Sequence, residues 1–303
     1  MKLNSKQMAQ FAADGYLRFD GVVPEALNQK FLNEIGHVDP SEVTNPMQHY
    51  GKVMSSSAIP VVKPGTPLKG AYPEASALAD LMDLPVVKDA VTSLVGSAPI
   101  FDHHFLHITF PPRFYEGKQQ KAQHYHQDST IDPRQAFDIQ IMYFPHDVTE
   151  DMGGTRFLPG SHHRIVSEAA IGRYQNIVGQ QRMVCEAGTL LFLHMGIWHG
   201  GGLNLSERMR YMFKIRLNPG ERQSKLWDTT DLTEEHFEQR PIFWTGGQQG
   251  DEIHQILMQP APWFEADTGR LEMINRVKFW RYLLGDSEFD ADYWLTRLET
   301  EYA

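Results

Sequence analysis

The spacing of apolar residues changes twice along this chain of 303 residues. Up to about residue 95 apolar positions recur at helical spacing, and Asn4 with Gln7 resembles a capping box at the start of a first helix. Further helices are predicted at 24–35, 76–82 and 86–95. Residues 52–70 carry prolines and small residues, which favours a loop. The first part of the chain is therefore predicted to be helix-rich.

From residue 96 to about 218 the pattern is instead a series of short apolar runs separated by turns. Strands are predicted at 99–110, 122–129, 138–145, 154–158, 182–186, 189–194 and 208–217. Such a series, without helices between the strands, indicates a two-sheet jelly roll and not a parallel sheet built from βαβ units. We therefore expect a mainly β fold with flanking helices.

From about residue 219 the chain is polar and then helical, with a predicted helix at 271–284 that stops at Gly285. Tryptophans concentrate here, and we expect them to pack on the core, with burial on another subunit or over the pocket as the alternatives: Trp227, Trp244, Trp263, Trp280 and Trp294. We expect one domain over residues 1–303, made of a helix-rich N-terminal part (1–95), a jelly-roll core (96–218) and a C-terminal helical extension (219–303).

The composition of the chain indicates which classes of molecule it can bind. The chain is 41% apolar, and 28 basic against 38 acidic residues give a formal net charge of −10. Nucleic acid and anionic membranes would repel such a chain, so a small-molecule substrate is the expected partner. No 18-residue apolar run and no signal-peptide core are visible, and a cytoplasmic protein is expected. The single cysteine, Cys185, cannot form an internal disulfide. The sequence is compatible with an oligomer.

The most informative polar positions are His126 and Asp128. On a strand, side chains two residues apart point to the same face, so these two could reach one metal ion. His199, which follows the apolar run 188–194, would add a second imidazole. Two histidines and one carboxylate on one face of an ion leave the opposite positions free, as in non-haem Fe(II) oxygenases. A His-x-Asp pair is common by chance in a chain with 14 histidines, so neighbouring motifs carry much of the weight.

Two other histidines compete for places in this set. His124 shares a strand face with His126, but three ligands at i, i+2 and i+4 span about 13 Å at ~3.3 Å per residue. One ion with bonds near ~2.1 Å cannot hold that span without a sharp bend in the chain. His194 could replace His199, but it ends an apolar strand and lacks a following Gly-Gly-Gly-x-Asn sequence. His199 is therefore preferred, and a pocket or surface position is expected for His124.

Several motifs follow one another in a recognisable order: residues 11–23, His126-x-Asp128, the glycine-rich run 153–162, the strand 188–192 and the segment 199–210. Together they resemble the phytanoyl-CoA dioxygenase family of Fe(II)- and 2-oxoglutarate-dependent oxygenases, over roughly residues 5 to 217. The resemblance implies a double-stranded β-helix core, which is the cupin-like jelly roll.

The resemblance also implies a set of ligands. His126, Asp128 and His199 would bind Fe(II), 2-oxoglutarate would chelate the ion, and O2 would be the oxidant. In the family an arginine beyond the distal histidine pairs with the far carboxylate of 2-oxoglutarate, a role that suits the permanent charge and forked donors of arginine. Arg210 lies 11 residues after His199 and is preferred on this spacing.

Other side chains are candidates for contact with 2-oxoglutarate. They are Arg208, Arg216, Ser206, His107 and Thr109. The two arginines compete with Arg210, and the serine would be a helper hydroxyl. The histidine and the threonine share one face of the predicted strand 99–110 and would line the barrel. A histidine that is satisfied within the barrel wall is the alternative for His107.

The resemblance implies a dioxygenase that hydroxylates an unactivated carbon of a small organic substrate. Asp128 favours hydroxylation, because relatives that halogenate have a small residue at this position, which leaves room for chloride. Desaturation and ring formation use the same ligands and stay open. A cupin-type metal enzyme that does not use 2-oxoglutarate, and an inert jelly-roll binding protein, are the alternatives from other classes. The expected pocket walls are Tyr143, Arg156, Met195 and Trp198.

Overall fold

The computed structural model of the chain describes residues 2–115, 120–129, 131–164, 166–173, 176–237, 251–263 and 266–291. Its helices are α1 Ser5–Asp14, α2 Glu25–Glu34, α3 Pro46–Met54, α4 Ala77–Asp83, α5 Pro85–Val95, α6 Glu168–Ile171, α7 Glu252–Met258 and α8 Ala266–Leu284. Its strands are β1 Tyr16–Phe19, β2 Ile100–Thr109, β3 Ile139–Phe144, β4 Thr155–Phe157, β5 Gln181–Arg182, β6 Thr189–His194, β7 His199–Gly201 and β8 Arg210–Asn218.

The N-terminal helices begin at residues that the sequence marks. The Asn4 side chain accepts a hydrogen bond from the Gln7 backbone N–H, and the Gln7 side chain accepts one from Asn4, which confirms the predicted capping box. α2, α4 and α5 lie where helices are predicted. α3 was missed, although Asn45 caps it and Pro46 is its first residue, both of which are helix-start signals. The irregular segment therefore begins only after Met54.

The strands form two antiparallel sheets. The larger sheet has the order β1-β6-β3-β8-β2, and the smaller one has the order β5-β4-β7. This arrangement confirms the predicted mainly β fold with flanking helices. The predicted strand at 122–129 was wrong, because this polar segment forms only an isolated bridge between His126 and His199. Its partner β7 has only three residues, two of them glycines, which weaken a strand. Of the predicted strand at 182–186, only Arg182 lies in a strand, β5, and Cys185 forms an isolated bridge with Val148.

The larger sheet has a different environment on each face. On β8, Tyr211, Phe213 and Ile215 belong to the main core, which also contains the N-terminal helices. Fully burying the side chain of Phe213 or of Ile215 contributes roughly 1.5–3 kcal/mol. The alternate residues Arg210, Met212 and Lys214 face a cavity instead. The same alternation on β2 buries Leu106 in the core and turns His107 and Thr109 to the cavity, as the predicted strand faces imply.

The C-terminal helices complete the main core. α8 ends at Leu284, and Gly285 follows with φ +67°, as predicted for a helix stop. Trp227 and Trp280 are buried in the main core, whereas Trp263 packs beside Trp198. Trp244 and Trp294 lie outside the described residues. The core draws on all three parts of the chain, and the single-domain organisation stays a prediction. Within the described ranges, no helix combines the length and the apolar character that a membrane crossing requires.

Gly153 should be intolerant of a side chain. Its φ is +63°, and a Cβ here would lie 1.7 Å from the Leu203 carbonyl oxygen. We expect Gly153→Ala to lower the free energy of unfolding by about 2–4 kcal/mol, because the backbone conformation and the contact are both strained. The measurement is urea denaturation.

The matched control is Gly51→Ala in α3, where a Cβ meets nothing within 4 Å. This change should stabilise the protein by roughly 0.5–1 kcal/mol, because alanine favours a helix interior. Equal denaturation midpoints for the two variants would contradict the structure around Gly153.

Candidate metal centre

A backbone bridge brings two distant histidines side by side. The His126 N–H donates to the His199 carbonyl at 3.0 Å, and the His199 N–H donates to the His126 carbonyl at 2.9 Å. Their ring centroids are 4.4 Å apart. Two residues further, the Asp128 N–H donates to the Met195 carbonyl at 3.1 Å, which turns this carboxylate towards the same point.

The three side chains have the spacing of a metal site. Asp128 Oδ1 lies 3.8 Å from His126 Nε2, and Asp128 Oδ2 lies 3.4 Å from His199 Nε2. One ligand atom from each residue lies within 4.8 Å of the others, and no other group of three such residues in the described ranges has this spacing. Ligand atoms this close can share a single ion with bonds near ~2.1 Å.

Hydrogen bonds orient both imidazoles. His126 Nδ1 lies 3.1 Å from the His124 carbonyl oxygen, and His199 Nδ1 lies 2.9 Å from the Ile197 carbonyl oxygen. A carbonyl oxygen only accepts, so each Nδ1 carries the proton and donates. Each Nε2 is then the atom with a free lone pair when the ring is neutral, as a metal ligand requires.

The charges of the site also suit a cation. Burial lowers the pKa of His126, and the neighbouring His199 lowers it further, so its imidazole is neutral at physiological pH. Burial alone would raise the pKa of Asp128, but hydrogen bonding and charge from His199 and Lys214 outweigh burial and hold this pKa well below its usual value. Asp128 is therefore an ionised carboxylate.

The site opens into a cavity of about 550 Å³. The lining residues are His107, Ile108, Thr109, Tyr115, Gln120, Lys121, Gln123, His126, Asp128, Met142, Thr155, His199, Gly201, Gly202, Arg210, Met212 and Lys214. The expected walls Tyr143, Arg156, Met195 and Trp198 are not among them. Tyr143 instead donates a hydrogen bond to Asn28 in the core, because odd-numbered residues of β3 face the helices.

Arg210 is a buried cation in this cavity, with 7% of its surface exposed. Its Nη1 donates to the Met152 carbonyl at 2.7 Å and its Nη2 donates to Thr109 Oγ1 at 3.0 Å. Burial lowers the pKa of Arg210 to about 10, so the side chain stays charged at neutral pH. Among the described residues no carboxylate pairs with it. A buried charge without a counter-ion is costly, so this position is suited to an anionic ligand.

The competing arginines have other surroundings. Arg208 is exposed and does not line the cavity. Arg216 is half-buried and lies 3.0 Å from both Asp102 and Asp138, so its charge is already compensated. The Ser206 hydroxyl donates to Asn204 Oδ1 at 2.7 Å and lies outside the cavity lining, where it helps to shape the turn before β8.

The two histidines that competed for a place in the metal site, His124 and His194, do not line the cavity, whereas His107, a candidate contact of 2-oxoglutarate, does. The His124 side chain is exposed. His194 is buried against Phe137, and its Nδ1 accepts a hydrogen bond from the Gly196 N–H at 2.9 Å. His107 does line the cavity, and burial lowers its pKa to about 3, so it is a neutral imidazole there.

Sequence reasoning missed Lys214, Met142 and Met212 in the cavity wall. The alternation of β8 could have indicated two of them, because Met212 and Lys214 share the face of Arg210. Lys214 Nζ lies 3.0 Å from Asp128 Oδ2, a contact between residues far apart in the sequence.

The chain is similar to one protein family and to two mycobacterial proteins. The profile of the phytanoyl-CoA dioxygenase family matches residues 11–212. The uncharacterized proteins Mb1539 of Mycobacterium bovis and Rv1501 of Mycobacterium tuberculosis are each 29% identical over 132 residues, which are 43% of this chain and 46% of theirs. The match thus spans less than half the length of these relatives.

Solved structures share the fold. HygX from Streptomyces hygroscopicus with nickel and 2-oxoglutarate bound is 16% identical with a TM-score of 0.51, covering 76% of this chain and 94% of that one. EctD from S. alaskensis in its apoform is 14% identical with a TM-score of 0.50, covering 72% and 77%. At these identities the similarity shows a common architecture.

The metal centre can be tested directly. We expect the purified, metal-stripped protein to bind one Co(II) per chain, and Asp128→Ala to weaken this binding by at least ~100-fold, because one of three ligand atoms is lost. Isothermal titration calorimetry measures both affinities. His124→Ala is the control: the side chain is exposed, and the carbonyl that orients His126 is retained, so its affinity should equal that of the wild type.

Proposed function

The chain belongs to the phytanoyl-CoA dioxygenase family, and from this premise we propose that it is an Fe(II)- and 2-oxoglutarate-dependent dioxygenase that hydroxylates an unactivated carbon of a small organic substrate. The observation that carries the proposal is a set of two imidazoles and one carboxylate that shares a cavity with a buried, uncompensated arginine. The family is the one that the sequence motifs predict.

The residues present fit Fe(II). Two imidazole nitrogens and one carboxylate on one side of an ion are the ligands of non-haem Fe(II) oxygenases, and they leave positions open for other ligands. His126, Asp128 and His199 would hold the ion. The structure of HygX, which shares this fold, contains nickel and 2-oxoglutarate, and we transfer a metal and this co-substrate to the present chain as part of the proposal.

Arg210 would bind the far carboxylate of 2-oxoglutarate. Its guanidinium faces the same cavity as the three ligands, and its hydrogen bonds to Met152 and Thr109 fix its plane. Thr109 is thus a residue that positions Arg210. A planar, permanently charged fork can hold both oxygens of a carboxylate at once, which fixes the direction of the co-substrate in the cavity.

Fe(II) and 2-oxoglutarate, when bound, would supply the oxidative decarboxylation that activates O2 for attack on a C–H bond. The protein's own part is to orient and to exclude water. Met142 and Met212 give the cavity apolar wall beside the charged groups. Asp128 occupies the position that halogenating relatives leave for chloride, and this supports hydroxylation.

Binding of 2-oxoglutarate should depend on Arg210. Under anaerobic conditions Fe(II) with 2-oxoglutarate should give the wild type a weak visible charge-transfer band, and His126→Ala should abolish it. Arg210→Ala should raise the Kd for 2-oxoglutarate roughly 30-fold or more, because a buried charge pair is lost. Titration of the band measures this Kd.

Arg210→Lys is the matched control for charge. This variant keeps the positive charge but loses the planar set of guanidinium N–H donors. Its Kd for 2-oxoglutarate should therefore lie between those of the wild type and Arg210→Ala. An unchanged Kd in Arg210→Ala would refute the role of Arg210, whereas absence of the band in the wild type would favour a cupin-type metal enzyme that does not use 2-oxoglutarate.

The reaction type can be read from the product. In a panel of small organic substrates, the true substrate should increase succinate release, and its product should gain one oxygen atom that comes from labelled O2. Mass spectrometry measures the gain. A product that loses two hydrogens would indicate desaturation or ring formation and would refute hydroxylation. Asp128→Ala supplies the inactive control.

A further inference from the structure

Lys214 is an unusual neighbour for a metal ligand. It lies on β8, four residues from Arg210 on the same strand face, and only 7% of its surface is exposed. In the sheet register its partners are Phe105 of β2 and Met142 of β3, which offer no charge to an ammonium group. The strand pattern therefore directs a buried cation into the cavity.

The ammonium has one anionic partner among the described residues. Lys214 Nζ donates a charge-assisted hydrogen bond to Asp128 Oδ2 at 3.0 Å. The backbone of Asp128 is fixed as well, because its N–H donates to Met195 and its carbonyl accepts from Arg216 Nη1 at 3.3 Å. Asp128 is thus held at the main chain and at one carboxylate oxygen.

We propose that Lys214 is a positioning residue that occupies one oxygen of Asp128, so that a metal ion is held through the other oxygen and competes with Lys214 for the carboxylate charge. This inference rests on the metal site of the proposed function. Each additional protein oxygen on the ion would remove a position needed by the chelating co-substrate or by O2. Lys214 would keep these positions open, at some expense of metal affinity.

Two opposite effects follow from removing Lys214. Loss of the hydrogen bond frees a side-chain rotamer, which weakens metal binding slightly. Loss of the ammonium removes the repulsion between Lys214 and the divalent metal ion, which lie on either side of the Asp128 carboxylate. This loss strengthens metal binding. The second effect is larger, because the charges are only a few ångströms apart in a partly buried site.

The experiment measures Co(II) affinity by calorimetry for the wild type, Lys214→Met and Lys214→Gln. We expect both variants to bind Co(II) about tenfold or more tightly than the wild type, because both lose the charge. Lys121→Met removes a charge from the exposed mouth of the same cavity and should change the affinity less than ~2-fold, since surface charges are screened.

Infrared difference spectra show whether the metal ion is bound through one or both oxygens of Asp128. They are recorded on Zn(II) binding, with carbon-13 label in the aspartate carboxyl groups. The separation between the two carboxylate stretching bands is larger for binding through one oxygen than through two. Wild type and Lys214→Gln, which keeps a donor to Oδ2, should show the large separation. Lys214→Met, which loses the donor, should show the small one.

The outcomes distinguish a failure of the role proposed for Lys214 from a failure of the proposed function. Wild-type affinity in Lys214→Met and Lys214→Gln, or a large band separation in Lys214→Met, would overturn the role of Lys214 and leave the metal site intact. Absence of Co(II) binding that depends on His126 and Asp128 in the wild type would overturn the proposed function as well. If Lys214→Met does not fold, as judged by circular dichroism, the affinity of Lys214→Gln decides the competition.

Discussion

The antiparallel bridge between His126 and His199 is the contact on which the rest of the site depends. Two backbone hydrogen bonds, of 3.0 and 2.9 Å, hold an irregular polar segment against a three-residue strand. The next bond, from Asp128 to Met195, sets the third ligand. Backbone bonds with defined geometry thus bring His199 to two side chains that lie far from it in the sequence, and the carbonyls beside the histidines orient both imidazoles.

The larger sheet has the apolar core on one face and the charged cavity on the other. One face of β8 packs Tyr211, Phe213 and Ile215 into the main core, which anchors the strand. The opposite face presents Arg210 and Lys214 to the cavity. Because alternate residues of a strand point to opposite faces, the apolar residues that stabilise the fold also determine where the charged residues lie. A rigid strand therefore places both cations relative to the three ligands.

The two cations differ in their electrostatic situation. Lys214 has a carboxylate partner in Asp128, whereas no carboxylate of the described residues pairs with Arg210. Burial without compensation is unfavourable, so Arg210 is the position at which an anionic ligand contributes most. Its bonds to a carbonyl and to Thr109 satisfy two of its donors and leave its charge uncompensated. This contrast supports the proposals that Arg210 binds the co-substrate and that Lys214 acts on Asp128.

The sequence by itself determined the positions of α1, α2, α4 and α5, the alternation of β2 and β8, the family and the residues that the structure gathers at one point, because each depends on local spacing or on ordered motifs. It did not determine that residues 122–129 stay irregular, that Ser206 serves a turn, or that Lys214 meets Asp128. Those outcomes depend on which strands pair and on how long their partners are. Pairing between distant segments is a property of the packed chain, and only the tertiary structure decides it.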